Sequence, residues 1–240
     1  MNKFSKSPII NAPTPHKIYN QPLDTMKNNL QTTKQRLLNA AEELFAIDGF
    51  SAVTVRQIAR KAEADISLVY YHFKSKRNLF ESVLMRRAKY INELRLNELE
   101  KIERRHTNDN PSIEEIIYAF IYPLLQKLDE DHEEWKHYFA LIAMVNNSPS
   151  WGGEMMTKYF DPLVQRFLKT IKRALPNCDE ADLYWSYHFL SGALTLTFAE
   201  TGRIDNLSDG ICQSSDMKSI IERLPRFIAA GFTSLCSNKK

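Results

Sequence analysis

The sequence predicts an all-α protein of two domains, and three features of it lead there. Only 7 of its 240 residues are glycine, too few for a turn-rich sheet protein. Apolar residues recur at three- and four-residue intervals over long stretches, with no sustained alternation. The length suffices for two separate cores, a small one in front and a larger one behind. No run of about 18 uncharged apolar residues is present, so no membrane span is expected. The first residues lack the unbroken apolar core of a secretion signal, and a cytoplasmic address is expected. Cys178, Cys212 and Cys236, odd in number and widely spaced, suit free thiols better than a disulfide frame or a zinc site; no metal and no cofactor is expected.

The formal charge of +3 hides an asymmetry. The first 90 residues carry 15 Lys/Arg against 7 Asp/Glu, whereas the remaining 150 carry 17 against 22. A basic front and an acidic rear suggest that only the front meets a polyanion.

Residues 1–30 mix four prolines with Asn, Lys and Ser, lack a sustained apolar period, and read as a flexible tail. From Thr33 the pattern turns helical. Leu37, Leu38, Ala41, Leu44 and Phe45 share one face, Thr32 or Thr33 is placed to cap the start, and Gly49 marks the stop. A second helix follows Thr54, whose hydroxyl can accept the orphan amides opening "VRQIARKA", with Ile58, Ala59 and Ala62 inward. After Glu63-Ala64, Asp65 is placed to cap a third helix from Ile66 to about Phe73. Two short helices joined by so brief a turn must cross steeply, which is the helix-turn-helix arrangement. Ser75 can cap a fourth helix running from Lys76 to about Arg105. Beyond "HTNDNPS", helices are expected near 113–128, 132–146, 154–175, 179–202 and 216–236, with Pro123 and Pro162 placed to kink two of them.

The third helix carries the chemistry. Ile66, Val69, Tyr70 and Phe73 follow an i, i+3, i+4, i+7 course toward the front core, although for Tyr70 core and contact both stay open. Ser67, Leu68, Tyr71 and His72 form the other side, and an apolar-aromatic surface of that kind needs a partner.

The run "TTKQRLLNAAEELFAIDGFSAVTVRQIARKAEADISLVYYHFKSKRNLFESVL" resembles the N-terminal head of the tetracycline-repressor (TetR) family of bacterial transcription regulators, through "AAEELFAIDGF", "TVRQIARKA" and "VYYHFKSK" in register. The resemblance implies a third helix in the major groove of double-stranded DNA. It places Val55 and Arg56 near the backbone, Ile66, Ser67 and Leu68 at base edges, Tyr70, Tyr71 and His72 between bases and phosphates, and Lys76 on a phosphate. Two departures stand out: Glu63 occupies the turn position where the family usually has glycine, and the groove-facing helix offers no Arg, Asn or Gln for a bidentate base contact. Recognition is therefore expected to use methyl contacts from Ile66 or Leu68 to thymine, Arg56 or Gln57 of the second helix, and DNA shape.

Residues 77–240 are expected to form the ligand-binding and dimerisation domain behind a head of residues 31–76. Phe120, Phe139, Met144, Trp151, Met155, Phe160 and Phe189 are candidates for a pocket holding a small apolar effector, with ordinary core packing as the plainer role of each. The last two helices carry broad apolar faces, and the resemblance implies a four-helix homodimer interface through Leu190, Leu194, Phe198, Ile220, Leu224 and Phe227. Glu133 and His137 lie one helical turn apart near His132, a spacing that permits a metal pair but reads more simply as solvated surface. No phosphate-cradling glycine loop, serine elbow or Cys–His set is present, and no enzyme activity is expected. The chain reads as a ligand-responsive homodimeric DNA-binding regulator, most often a repressor in that family. The alternatives are an effector-independent DNA binder whose rear domain contacts a protein, and a helical enzyme with a vestigial head.

Overall fold

In the computed structural model, which describes residues 23–148 and 151–237, ten helices follow one another. They are α1 (Leu23–Ala52), α2 (Val55–Lys61), α3 (Ile66–Phe73), α4 (Lys76–Arg105), α5 (Ile113–Glu130), α6 (His132–Asn146), α7 (Gly152–Ala174), α8 (Glu180–Phe198), α9 (Arg203–Leu207) and α10 (Met217–Ser237). Among the described residues there is no strand. No helix among them is long and apolar enough to cross a membrane.

Helix α1 begins at Leu23, inside the stretch expected to be an irregular tail, so Thr32 and Thr33 lie within the helix rather than at its cap. The rest of that tail, residues 1–22, lies outside the described residues. The regular part of α1 breaks at Gly49, whose φ of 79° suits a residue without Cβ. Three N-caps fall where the sequence puts them: the Gln57, Ser67 and Asn78 amides donate to the Thr54, Asp65 and Ser75 side chains. Ser112, at the end of the polar break, caps α5 in the same way through the Glu115 amide. Pro123 and Pro162 lie inside α5 and α7, and Pro225 inside α10.

The head packs Leu37, Ala41 and Phe45 of α1 against Ile58, Val69, Phe73 and the first turns of α4. Trp151 joins this end of the molecule. Its ring lies 5.3 Å from Phe50 and 5.1 Å from Phe80, so it closes the seam between head and body and does not line a rear pocket. The body is built on the second half of α4, with α5 covering it and α10 laid along α5 and α8.

The sulfurs of Cys178, in the turn before α8, and Cys236, at the end of α10, form a disulfide. The 58-residue separation concealed this pairing: packing α10 beside α8 returns the chain end to the α7–α8 turn. Cys212 is free and exposed.

Candidate nucleic-acid interface

The turn between α2 and α3 fixes the geometry. Thr54 and Gln57 form a reciprocal capping box, the Thr54 amide donating to Gln57 Oε1 at 2.7 Å while the Gln57 amide donates to Thr54 Oγ1. Two residues of the turn keep α2 and α3 from merging. Glu63 adopts φ 50°, a left-handed conformation that costs a non-glycine residue about 1 kcal/mol, and its carbonyl accepts from Arg36 Nη2. Ala64 then closes the turn by donating to the Ala59 carbonyl. Hydrogen bonds from Ser67 hold the Asp65 carboxyl below its usual range, keeping the cap ionised at the positive end of α3.

Helix α3 buries only Val69 and Phe73. Ser67, Ile66, Tyr70 and Tyr71 are exposed, Tyr71 to 61%, and Leu68 is half-buried. The inward stripe is thus narrower than the spacing suggests: Ile66 and Tyr70, placed on it by the i, i+3, i+4, i+7 course, are left exposed. Val55 is half-buried and Arg56 exposed at the start of α2.

His72 and Lys76 are less free than their positions in the sequence suggest. His72 is half-buried, and its Nε2 is covered without a hydrogen-bond partner among the described residues. Burial, and then the charge of Lys34, lowers its pKa, so the ring is neutral at pH 7. Lys76 Nζ donates to the Ser51 carbonyl at 3.4 Å and sits 4.5 Å from the centroid of the Phe50 ring.

Two lysines absent from the sequence reading rim the surface instead. Lys74, with φ 67°, donates to the Tyr71 carbonyl and lies over the Tyr71 ring, and Lys34 lies over Phe73 beside His72. Lys74 was legible as the first lysine of "HFKSK", whereas Lys34 approaches α3 only once α1 is folded against it. The surface thus joins hydroxyls, ring faces, methyl groups and ammonium groups, a set that suits phosphates and thymine methyls.

In the body, the pocket and interface candidates sort differently from the sequence reading. A cavity of about 50 Å³ lies among α4–α8. Phe120, Phe139 and Phe160 line it, but Met144, Met155 and Trp151 do not. Phe189 is 57% exposed and belongs to the outer face of α8. Conversely, Leu190, Leu194 and Phe198, expected at a dimer interface, are buried and line the cavity. The cause is that α8 is apolar on both sides, so its period does not tell inside from outside. Ile220 and Leu224 are half-buried, while Phe227 is 71% exposed. The exposed apolar residues there include Trp185, Phe189 and Leu196 of α8 and Phe227 of α10. His132 pairs with Glu200, Glu133 with Lys136, and no group of three or more metal-ligating side chains occurs among the described residues.

Head and body together define a two-domain helix-turn-helix protein. Residues 37–83 match the family model for bacterial regulatory proteins of the tetR family, and residues 118–231 match the tetracyclin repressor-like C-terminal domain. The chain belongs to the tetracycline-repressor family. It is 32% identical over 63 residues to the HTH-type transcriptional regulator UidR of Escherichia coli (strain K12), covering 26% of this chain and 32% of that protein. Over 51 residues it is 41% identical to the HTH-type transcriptional regulator QacR of Staphylococcus aureus (strain Mu50), covering 21% and 27%. The matches thus span about a third of the length of these curated relatives. Among solved structures, HlyIIR, a hemolysin II transcriptional regulator, superposes with a TM-score of 0.57 at 16% identity, over 88% of this chain and 99% of that one; this likeness concerns the fold.

Proposed function

We propose that the protein is a homodimeric transcription regulator, acting as a repressor, whose α3 enters the major groove of a pseudo-palindromic operator and whose release is driven by a small molecule held in the body. The observation that carries this reading is the exposed side of α3: Tyr70, Tyr71, Ser67 and Ile66 are left uncovered on a helix oriented by capped turns at both ends. A surface so rich in apolar and aromatic groups, rimmed by Lys34 and Lys74, needs a polyanionic partner with apolar base edges.

In this reading Ile66, Ser67 and Leu68 meet base edges, Tyr70 and Tyr71 bridge bases and phosphates, and Val55 with Arg56 lies along the backbone. Lys76 orients the end of α1 through Ser51 and Phe50 as well as adding positive potential. With no bidentate base reader on α3, sequence preference comes from thymine methyls, α2 and DNA shape. Two copies pair through Trp185, Phe189, Leu196 and Phe227, and that symmetry spaces the two α3 helices for successive half-sites.

Selection from randomised duplexes, followed by gel-shift titration in rising salt, tests the reading. The expected result is a two-fold-symmetric motif with thymine preferences and binding that weakens steeply with salt. A motif of invariant guanines without thymine preference counts against the contacts named, and no selectable duplex at all counts against the function.

A further inference from the structure

The cavity in the body contains a charge that its surroundings do not neutralise. Arg95 projects from the middle of α4 and is only 7% exposed. Its Nε donates to the Phe120 carbonyl at 2.9 Å, and its guanidinium lies 3.7 Å from the centroid of the Phe120 ring. Those contacts use one donor and one ring face. Among the described residues, the guanidinium's hydrogen bond is the one from Nε, and no carboxylate acts on it. Asp161 acts on Tyr187, whereas the groups that act on Arg95 are the phenols of Tyr187 and Tyr138 and no carboxylate.

A buried guanidinium without a counter-ion is expensive, and an apolar side chain of the same length would fill the space at less cost. Burial pulls the Arg95 pKa down to about 10, which still leaves it cationic at neutral pH. Burial likewise raises Tyr138 and Tyr187 on the same cavity wall, so both hydroxyls remain protonated donors. The remaining wall is apolar apart from Asn146, Ser191 and Thr195. Arg95, Tyr138 and Tyr187 thus lie close enough to interact, in an enclosure lined largely by apolar side chains.

We propose that this cavity binds the carboxylate of a small organic acid, with Arg95 as the anion-binding residue and the acid's apolar body directed toward Met156 and Phe198. The inference rests on the effector reading above and replaces the purely apolar effector expected from the sequence with an amphipathic anion. A carboxylate is favoured over bulkier oxyanions because it matches the flat edge formed by the two free Nη groups. The volume agrees: about 50 Å³ holds a few water-sized groups, each needing about 10–15 Å³, which suffices for a head group but not a hydrocarbon body. Seating the body displaces the unbranched, adaptable Met156 and the α8 side chains opposite, and that movement couples occupancy to the rest of the molecule.

The test is calorimetric titration of the full chain with sodium benzoate, octanoate and dodecanoate and with the matching primary alcohols, on the native protein and on Arg95→Met and Arg95→Lys. At least one carboxylate is expected to bind about 10- to 100-fold more tightly than its alcohol. That preference is lost in Arg95→Met and reduced in Arg95→Lys, which keeps the charge but not the fork. Circular dichroism melting controls for folding, since Arg95→Met removes an unpaired charge and is expected to melt no lower than the native protein. Equal affinity for acids and alcohols, or a preference that survives Arg95→Met, overturns the carboxylate site while leaving an apolar effector in place. Absence of binding by every acid also overturns it, and a gel shift on the same sample shows whether the DNA-binding reading stands without it.

Discussion

The carboxylate of Glu42 accepts from Arg87 Nε at 2.9 Å, joining the DNA-binding head to the body through α4. Glu42 is 4% exposed and takes a second bond from Arg86 Nη2 at 2.6 Å. Arg87 continues the path, donating to Glu134 on α6 and lying over the Trp135 ring. A charge paired on two sides within a seam fixes one mutual arrangement of α1, α4 and α6. Glu42→Ala removes the buried carboxylate shared by two arginines, which keep only Asn39 and Glu134, and is expected to lower stability by about 3 kcal/mol in urea unfolding. Glu134→Ala is expected to cost less than about 1 kcal/mol, because that carboxylate is already half in water.

Glu63 offers the opposite case. Its φ of 50° strains an L residue, and its side chain is exposed. Glu63→Gly is expected to raise the unfolding free energy by about 0.5–1 kcal/mol, and removing a negative charge near the groove side is expected to tighten DNA binding. Thermal melting and gel shift measure the two effects separately.

The two sides of α3 separate folding from binding. Tyr71→Ala removes a side chain that touches little of the core, so stability is expected to change by less than about 0.5 kcal/mol while operator affinity falls at least about tenfold. Val69→Ala, at a position 1% exposed, is expected to destabilise by about 2 kcal/mol and weaken binding only in proportion to unfolded protein. Equal losses of affinity at equal stability contradict the orientation of the helix.

Helix α8 distinguishes interface from core in the same way. Phe227→Glu, on the outer face of α10, is expected to give a folded monomer by analytical ultracentrifugation with weakened operator binding. Leu194→Glu buries a charge in the cavity wall and is expected to unfold the body instead. If the interface runs through Leu194, as the family resemblance implies, the outcomes are exchanged.

The head was legible because its punctuation is local. Thr54, Asp65 and Ser75 each bond an amide two or three residues away, so spacing alone locates the helix starts. The body was less legible because what matters there is set by long-range packing. Trp151 packs against Phe50, far earlier in the chain, Cys178 meets Cys236 across two helices, and α8 is apolar all round. Arg95 was missed for a related reason: in "INELRLNELEKIERR" one more charge reads as solvated surface, and only the covering by α5 reveals it as buried.

His72 supplies a pH dependence whose sign follows from its burial. Desolvation first, and then repulsion by Lys34, holds its folded-state pKa below 6.5, whereas the unfolded chain keeps the ordinary value. Between those two values the unfolded state binds more protons, so stability rises with pH through the window. The contribution is therefore fully present above pH 6.5 and is lost as pH falls through the lowered pKa. Melting temperature is expected to drop on acidification below pH 6.5 in the native protein and to drop less in His72→Phe, which has no proton to gain. Parallel pH profiles for the two proteins would show that the covered Nε2 carries no such penalty and that the imidazole is effectively solvated.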